Sequence, residues 1–139
     1  MDIAICSLST VSSSSGAYRE LQYAGANNPL WIIRKNASEV EEIKPNKQPI
    51  GKYSHAEPFT THTVELEKGD SIYIFSDGYA DQFGGEKGKK FMLRSLKNLL
   101  LSVQDKELIE QKQIIDTKFE DWKGELNQID DVCIIGVRI

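Results

Sequence analysis

Hydrophobic and polar residues alternate through the first half of the chain and switch to a helical period in the second. Residues 2–8 alternate around Ile3, Ile5 and Leu8 and run into a Ser/Gly-rich turn at 12–16, which predicts an opening strand. Residues 18–23 and 30–34 are short β-favouring runs. Their join, Ala24-Gly25-Ala26-Asn27-Asn28-Pro29, is rich in residues that tolerate tight turns, so the two runs are expected to form a hairpin. The polar stretch over 35–47 holds an edge strand around 40–43, and Pro49-Ile50-Gly51 breaks the pattern. Residues 59–66 alternate again. Lys68-Gly69-Asp70 then turns the chain into Ser71-Ile72-Tyr73-Ile74-Phe75, a buried strand expected to pair antiparallel with 59–66.

From Phe91 to Val103, Met92, Leu96, Leu99, Leu100 and Val103 recur at helical spacing. A second helix is expected from an N-cap at Asp105 to Trp122, where Leu108, Ile115 and Trp122 repeat every seven positions and Gly124 ends it. Val132-Cys133-Ile134-Ile135-Gly136-Val137 is continuously apolar and predicts a closing strand buried on both faces. Strands, two helices and a returning strand exclude an alternating βαβ protein. They predict an α+β fold, a layered antiparallel β-sandwich with flanking helices.

Length and composition narrow this only slightly. The 139 residues suffice for one domain with a real core, and 40% hydrophobic with 27% charged residues is ordinary for a globular chain. Net charge is −4, from 21 acidic and 17 basic residues, without a basic stripe, which argues against nucleic acid as partner. No apolar run approaches the roughly 20 residues of a membrane span, and no basic segment leads into an apolar one at the start. No membrane contact by this segment is therefore expected, and the expected location is the cytoplasm. Cys6 and Cys133 lie in apolar strand-like runs and read as buried, reduced residues. His55 and His62 lack partners at suggestive spacing and read as surface residues; Trp31 and Trp122 read as packing residues. The chain opens directly on a strand pattern, which reads as a domain incomplete on its N-terminal side over residues 1–139.

The informative segment is Phe75-Ser76-Asp77-Gly78-Tyr79-Ala80-Asp81-Gln82-Phe83-Gly84-Gly85. A buried strand ends there in an aspartate followed by glycine, projecting a carboxylate from a rigid element. Asp77 either caps a short helix starting at Gly78 or Tyr79, or partners a cation. Asp130-Asp131, before the closing strand, is either a solvated turn or a second carboxylate site, since adjacent acids repel unless a cation lies beside them. Neighbouring strands of one sheet bringing Asp77 and Asp130 together would make an all-oxygen site suited to Mg²⁺ or Mn²⁺. Two such ions roughly 3.5–4 Å apart can activate a water and neutralise a phosphoryl group. Gly84-Gly85-Glu86-Lys87-Gly88-Lys89-Lys90 lacks the phosphate-loop pattern and reads as a mobile loop, in which Lys89 or Lys90 steers a phosphorylated substrate.

Ile74-Phe75-Ser76-Asp77-Gly78 followed by Asp130-Asp131-Val132 resembles the protein phosphatase 2C (metal-dependent protein phosphatase, PPM) superfamily. It is closest to the bacterial branch typified by the sporulation stage II protein E phosphatase domain. Tyr23-Ala24-Gly25-Ala26-Asn27-Asn28-Pro29-Leu30, Pro49-Ile50-Gly51 and Leu66-Glu67-Lys68-Gly69-Asp70 fit that branch. The resemblance implies a β-sandwich flanked by helices with a binuclear Mg²⁺ or Mn²⁺ centre, and hydrolysis of phosphoserine or phosphothreonine in a phosphorylated protein during bacterial signalling. It matches Asp77 and Asp130 to metal ligands, with Gly78, Asp131 and Asp81 in supporting positions and no catalytic residue separate from the ligands. It also implies an upstream sensor or regulatory domain in a longer parent.

Members of the superfamily carry an earlier Asp and Gly-His-Gly-type turn that supplies the metal-bridging carboxylate. No such segment occurs in this sequence. The expectation is therefore a partial domain, weakly active or inactive alone. The alternative is a non-catalytic, phosphatase-like interaction module. An incomplete sandwich exposes a sheet edge, so self-association is also expected.

Overall fold

The computed structural model describes residues 1–14, 16–52 and 54–139; of the predicted turn at 12–16, Ser15 lies outside the described residues. The chain forms two compact units, one from residues 1–75 and 135–139 and the other from residues 76–134.

The first unit is a sandwich of two antiparallel sheets. In one, strands run in the order β1 (Ile3–Ser13), β2 (Gly16–Ala26), β5 (His62–Leu66). In the other the order is β4 (Glu41–Ile43), β3 (Leu30–Ile33), β6 (Ser71–Phe75), β9 (Ile134–Arg138). Leu21 and Tyr23 of β2 and Leu66 of β5 meet Leu30 and Ile32 of β3 and Ile72 of β6, all buried, to make the core between the layers. Trp31 is also fully buried; its ring lies 4.3 Å from that of Phe75 and its indole N–H donates to Glu42 at 3.0 Å. Alternate residues of β3 thus bury on both faces, as the apolar run Leu30-Trp31-Ile32-Ile33 requires.

Both expected hairpins are corrected. β2 pairs with β1 and β5, whereas β3 pairs with β4 and β6, so the 24–29 link carries the chain from one sheet to the other. Asn27 takes φ 59°, and the Tyr23 hydroxyl donates to the Asn28 carbonyl at 2.6 Å, fixing the crossing. Burial, with the nearby Cys6 and Glu42 charges, pushes the Tyr23 hydroxyl up to about 12, so it stays a donor throughout the neutral range. Likewise 59–66 and 71–75 do not pair with each other; β5 joins β2 and β6 joins β3, and the 67–70 turn crosses between layers. Asp70 holds that crossing: its buried carboxylate accepts from the Glu67 and Lys35 N–H groups, each at 3.0 Å, and from Arg34 at 2.9 Å. Turn-forming residues look the same in a hairpin and in a change of sheet, because both need the chain to reverse.

β9 was expected to bury both faces. It stands at the edge of its sheet and alternates instead, with Ile135 51% and Val137 38% exposed. Cys133 is exposed and Cys6 half-buried, so neither is the buried residue expected.

The second unit opens with α1 (Gly78–Asp81), continues through a small hairpin of β7 (Phe83–Gly84) and β8 (Lys89–Lys90), then α2 (Leu93–Ser102) and α3 (Leu108–Lys123). The 84–90 segment, expected to be a mobile loop, therefore includes paired strands. Met92 lies outside α2 at φ 77°, exposed, while Leu96 and Leu100 bury. The α3 cap is Glu107 rather than Asp105: Glu107 and Glu110 form a reciprocal capping box. Glu satisfies the end because its partner sits three residues on, which outweighs the short-side-chain preference that pointed to Asp105. Gly124 ends the helix as expected. Tyr79 is the hub of this unit, its ring 5.1 Å from Phe91 and 5.0 Å from Phe119, and its hydroxyl donating to the Ile115 carbonyl at 2.8 Å. Burial raises the Tyr79 pKa and keeps that donor protonated.

Candidate functional site

Ser76 begins the site. Its N–H donates to the Cys133 carbonyl at 3.0 Å, its hydroxyl donates to the Asp131 carbonyl at 2.8 Å, and the Cys133 N–H donates back to that hydroxyl at 2.9 Å. These bonds tie the segment leaving β6 to the segment entering β9. The backbone of Gly78 then lies so close to the Asp131 carbonyl that a β-carbon at Gly78 would overlap it. Only glycine permits this approach.

Asp77 follows Ser76 directly and its position is set by that latch and by the turn it starts. The Asp81 N–H donates to the Asp77 carbonyl at 3.0 Å, and Tyr79 and Ala80 are buried. Asp77 occupies the N-cap position of α1, yet its carboxylate makes no capping hydrogen bond. Of the two sequence readings, the cap therefore loses its physical basis, and the carboxylate is exposed to solvent. Asp130 and Asp131 are exposed as well, and the Asp130 carboxylate accepts from the Asp131 N–H at 2.7 Å. The fold thus brings the Asp77 turn against the Asp130-Asp131 segment across a large gap in sequence.

The remaining candidates divide. Asp81 pairs with Lys90 at 3.1 Å, and the Lys90 ammonium also lies 5.9 Å from the Phe83 ring centre. Both partners are well exposed, so the pair adds little stability, but it gives the Asp81 carboxylate a protein cation and gives Lys90 a carboxylate. Lys89 is exposed on β8. Gly78 supports the site through close approach rather than through a ligand.

Sequence reasoning gave no role to Ser76 or Gln82. Ser76 was legible only as part of the Ser-Asp-Gly run. Gln82 is fully buried and its bonds reach loops, which no hydrophobic period reports.

Asp77 and Asp130 offer hard oxygen donors, the kind Mg²⁺ and Mn²⁺ take, and Mg²⁺ is commonly held by one or two carboxylates with waters and phosphate oxygens completing the sphere. The donor type fits such an ion. Among the described residues no group of three or more His, Cys, Asp or Glu side chains gathers.

Residues 8–139 match the family described as Stage II sporulation protein E (SpoIIE). The chain belongs to that family. A solved structure, the SiaA-PP2C domain of Pseudomonas aeruginosa, is similar to this SpoIIE-family chain with a TM-score of 0.76 and 28% identity, covering 88% of this chain and 51% of that one. The phosphatase domain of the cell fate determinant SpoIIE from Bacillus subtilis (Mn presoaked) matches with a TM-score of 0.58 and 15% identity over 96% of this chain and 56% of that one, which supports the shared fold. The SpoIIE-family chain therefore spans about half the length of both solved structures. Among curated proteins no match was found. The expected α+β fold and the resemblance to the PPM superfamily both hold. Among the described residues no helix is long and apolar enough to cross a membrane.

Proposed function

We propose that this chain carries the two-aspartate part of an Mg²⁺- or Mn²⁺-dependent phosphatase centre that acts on phosphoserine or phosphothreonine in a protein. One observation carries the reading: the Ser76 latch sets the turn bearing Asp77 against the Asp130-Asp131 segment in a SpoIIE-family chain. Asp77 and Asp130 would hold the ion through oxygen. The bound ion supplies Lewis-acid chemistry, polarising a phosphoryl oxygen and lowering the pKa of a water. Ser76 and Gly78 fix the backbone on either side of Asp77, and Asp131 supports through its backbone, where its carbonyl accepts from Ser76. Bacterial signalling, a cytoplasmic site and an upstream sensor or regulatory domain belong to the same proposal.

Calorimetric titration with Mn²⁺ tests it. The unmodified chain is expected to bind Mn²⁺ weakly, and Asp77→Asn to bind at least about tenfold more weakly, the scale on which metal-site changes act. Because Asp77 makes no capping bond, its stability should change by no more than roughly 0.5 kcal/mol. Equal Mn²⁺ affinity in both chains would sink the assignment. Turnover of a generic phosphomonoester by the isolated chain is expected to be negligible, since the sequence has no Asp and Gly-His-Gly-type segment to complete the centre. Robust turnover would refute that part.

A second reading, a non-catalytic interaction module, draws on the first unit. β1 stands at a sheet edge, carries no charged residue along its 11 positions, and leaves Ile5 57% and Leu8 41% exposed. An open apolar cleft of about 440 Å³ lies alongside, lined by residues including Cys6, Leu21, Ile74, Ile135 and Val137. Uncharged edges pair with other strands. A second copy of the chain is the expected partner, through antiparallel pairing of β1 with β1. Size-exclusion elution should shift toward dimer with concentration and revert in Leu8→Lys; monomeric elution at every concentration would refute the pairing.

A further inference from the structure

Gln82 ends α1 and is completely buried, and every polar atom it offers for bonding beyond its own N–H is used. Its backbone carbonyl accepts from the Phe91 N–H and from the Trp122 indole, each at 3.0 Å. Its side-chain NH₂ donates to the carbonyls of Phe83 and Asn127, each at 3.0 Å, and its side-chain oxygen accepts from the Ile129 N–H at 3.3 Å. The side-chain amide therefore joins the β7–β8 hairpin to the loop that leads into Asp130, while the backbone carbonyl of the same residue holds the end of α3.

The Asp130-Asp131 segment is thereby held at both ends. Ser76 grips it from the far side, at Asp131 and Cys133, and Gln82 grips it from the near side, at Asn127 and Ile129. Asp77 lies between those two anchors in sequence, at the start of the single turn that Gln82 closes. Leu126 and Ile129 are 48% and 55% exposed, so apolar burial does little to set the path of the loop, and its other bonds are local ones, such as the Gln128 side chain donating to the Asp130 carbonyl at 2.8 Å. A buried amide whose donors and acceptor all meet backbone groups is specific in a way that apolar packing is not, because any displacement of the loop leaves a buried polar group unpaired.

We propose that Gln82 is the positioning residue of the cation site, holding the 127–129 loop so that the Asp130 carboxylate stays in register with Asp77. The inference rests on the two-aspartate reading given above. It assigns Gln82 no contact with the ion. Outer groups of this kind alter metal affinity by about 10- to 100-fold when removed.

Paramagnetic broadening of amide signals by Mn²⁺ in the isotope-labelled chain tests this without any turnover. In the unmodified chain, amides of 77–78 and 130–132 should broaden together over one range of Mn²⁺. In Gln82→Met, similar in length but unable to form the amide bonds, 77–78 should still respond while 130–132 need roughly tenfold more Mn²⁺. If both segments respond at the original concentration in Gln82→Met, the positioning role is wrong. A purely structural role would lower the melting temperature and leave the two responses together, which also overturns the proposal. Should Gln82→Met not fold, Gln82→Asn keeps an amide one methylene short and is expected to separate the responses in the same direction; unseparated responses overturn the proposal. Failure of the two-aspartate reading looks different, since the unmodified chain would then show no localised broadening, or Asp77→Asn would match it.

Discussion

Gly78→Ala is expected to destabilise the chain by about 2–3 kcal/mol and to remove Mn²⁺ binding, with a lowered urea midpoint and a flat titration as the two readouts. The backbone at Gly78 is not in a left-handed conformation, so the effect does not come from torsional strain. It comes from space. A β-carbon there meets the Asp131 carbonyl carbon and oxygen and the Val132 side chain, and the first two are backbone atoms that cannot rotate away. Relief requires the 131–132 backbone to withdraw, which stretches the Ser76 hydroxyl bonds to Asp131 and Cys133. Binding and stability should therefore fall together in Gly78→Ala, whereas in Asp77→Asn binding alone falls. A Gly78→Ala chain of unchanged stability would show that the two segments are not in contact in solution.

Asp70→Ala should cost about 2–4 kcal/mol at neutral pH, since it leaves two backbone N–H groups without their acceptor and removes the carboxylate partner of Arg34, whose Nη1 keeps the Glu65 carbonyl at 2.9 Å. Arg34 is partly exposed and also pairs with Glu41 at 2.9 Å, which keeps the figure below that of a fully buried pair. Burial alone would raise the Asp70 pKa, but the Glu67 and Lys35 N–H groups and the Arg34 guanidinium outweigh it and hold the carboxyl below its usual value. A depressed native pKa means the unfolded chain takes up the proton first as pH falls. The contribution of Asp70 is thus complete above the ordinary aspartate value near ~3.9 and fades as pH drops through the lower native value. Urea unfolding of both chains at neutral pH and at successive steps below pH ~4 should show a constant gap that then narrows. A gap that widens on acidification would contradict the arrangement.

The existence of the central strands was plain in the sequence: Leu30-Trp31-Ile32-Ile33 read as a β-favouring run and Ser71-Ile72-Tyr73-Ile74-Phe75 as a buried strand, and both form strands. Partnership was less legible. Asn27-Asn28-Pro29 and Lys68-Gly69-Asp70 announce reversals, yet a reversal can return to the same sheet or climb to the next. What decides is a side chain acting at a distance, the Tyr23 hydroxyl in one turn and the Asp70 carboxylate in the other. β9 misled because continuous apolarity suggests burial on both sides, while edge position leaves Ile135 and Val137 half open. At the site, Asp77 and Asp130 stood out because carboxylates at strand boundaries are conspicuous. Ser76 and Gln82 did not, because their work is hydrogen bonding to backbone in loops, and backbone partners leave no trace in residue identity.

The division into two compact units has an optical consequence. The chain holds two tryptophans, Trp31 in the first unit and Trp122 in the second. The first is sealed from solvent against Phe75, while the second is half-buried with its indole N–H bonded to Gln82 and its ring edge-on to Phe91. Their emission should differ in wavelength and in access to a quencher. Trp31→Phe and Trp122→Phe chains would each leave a single fluorophore, so the melting of either unit becomes visible alone.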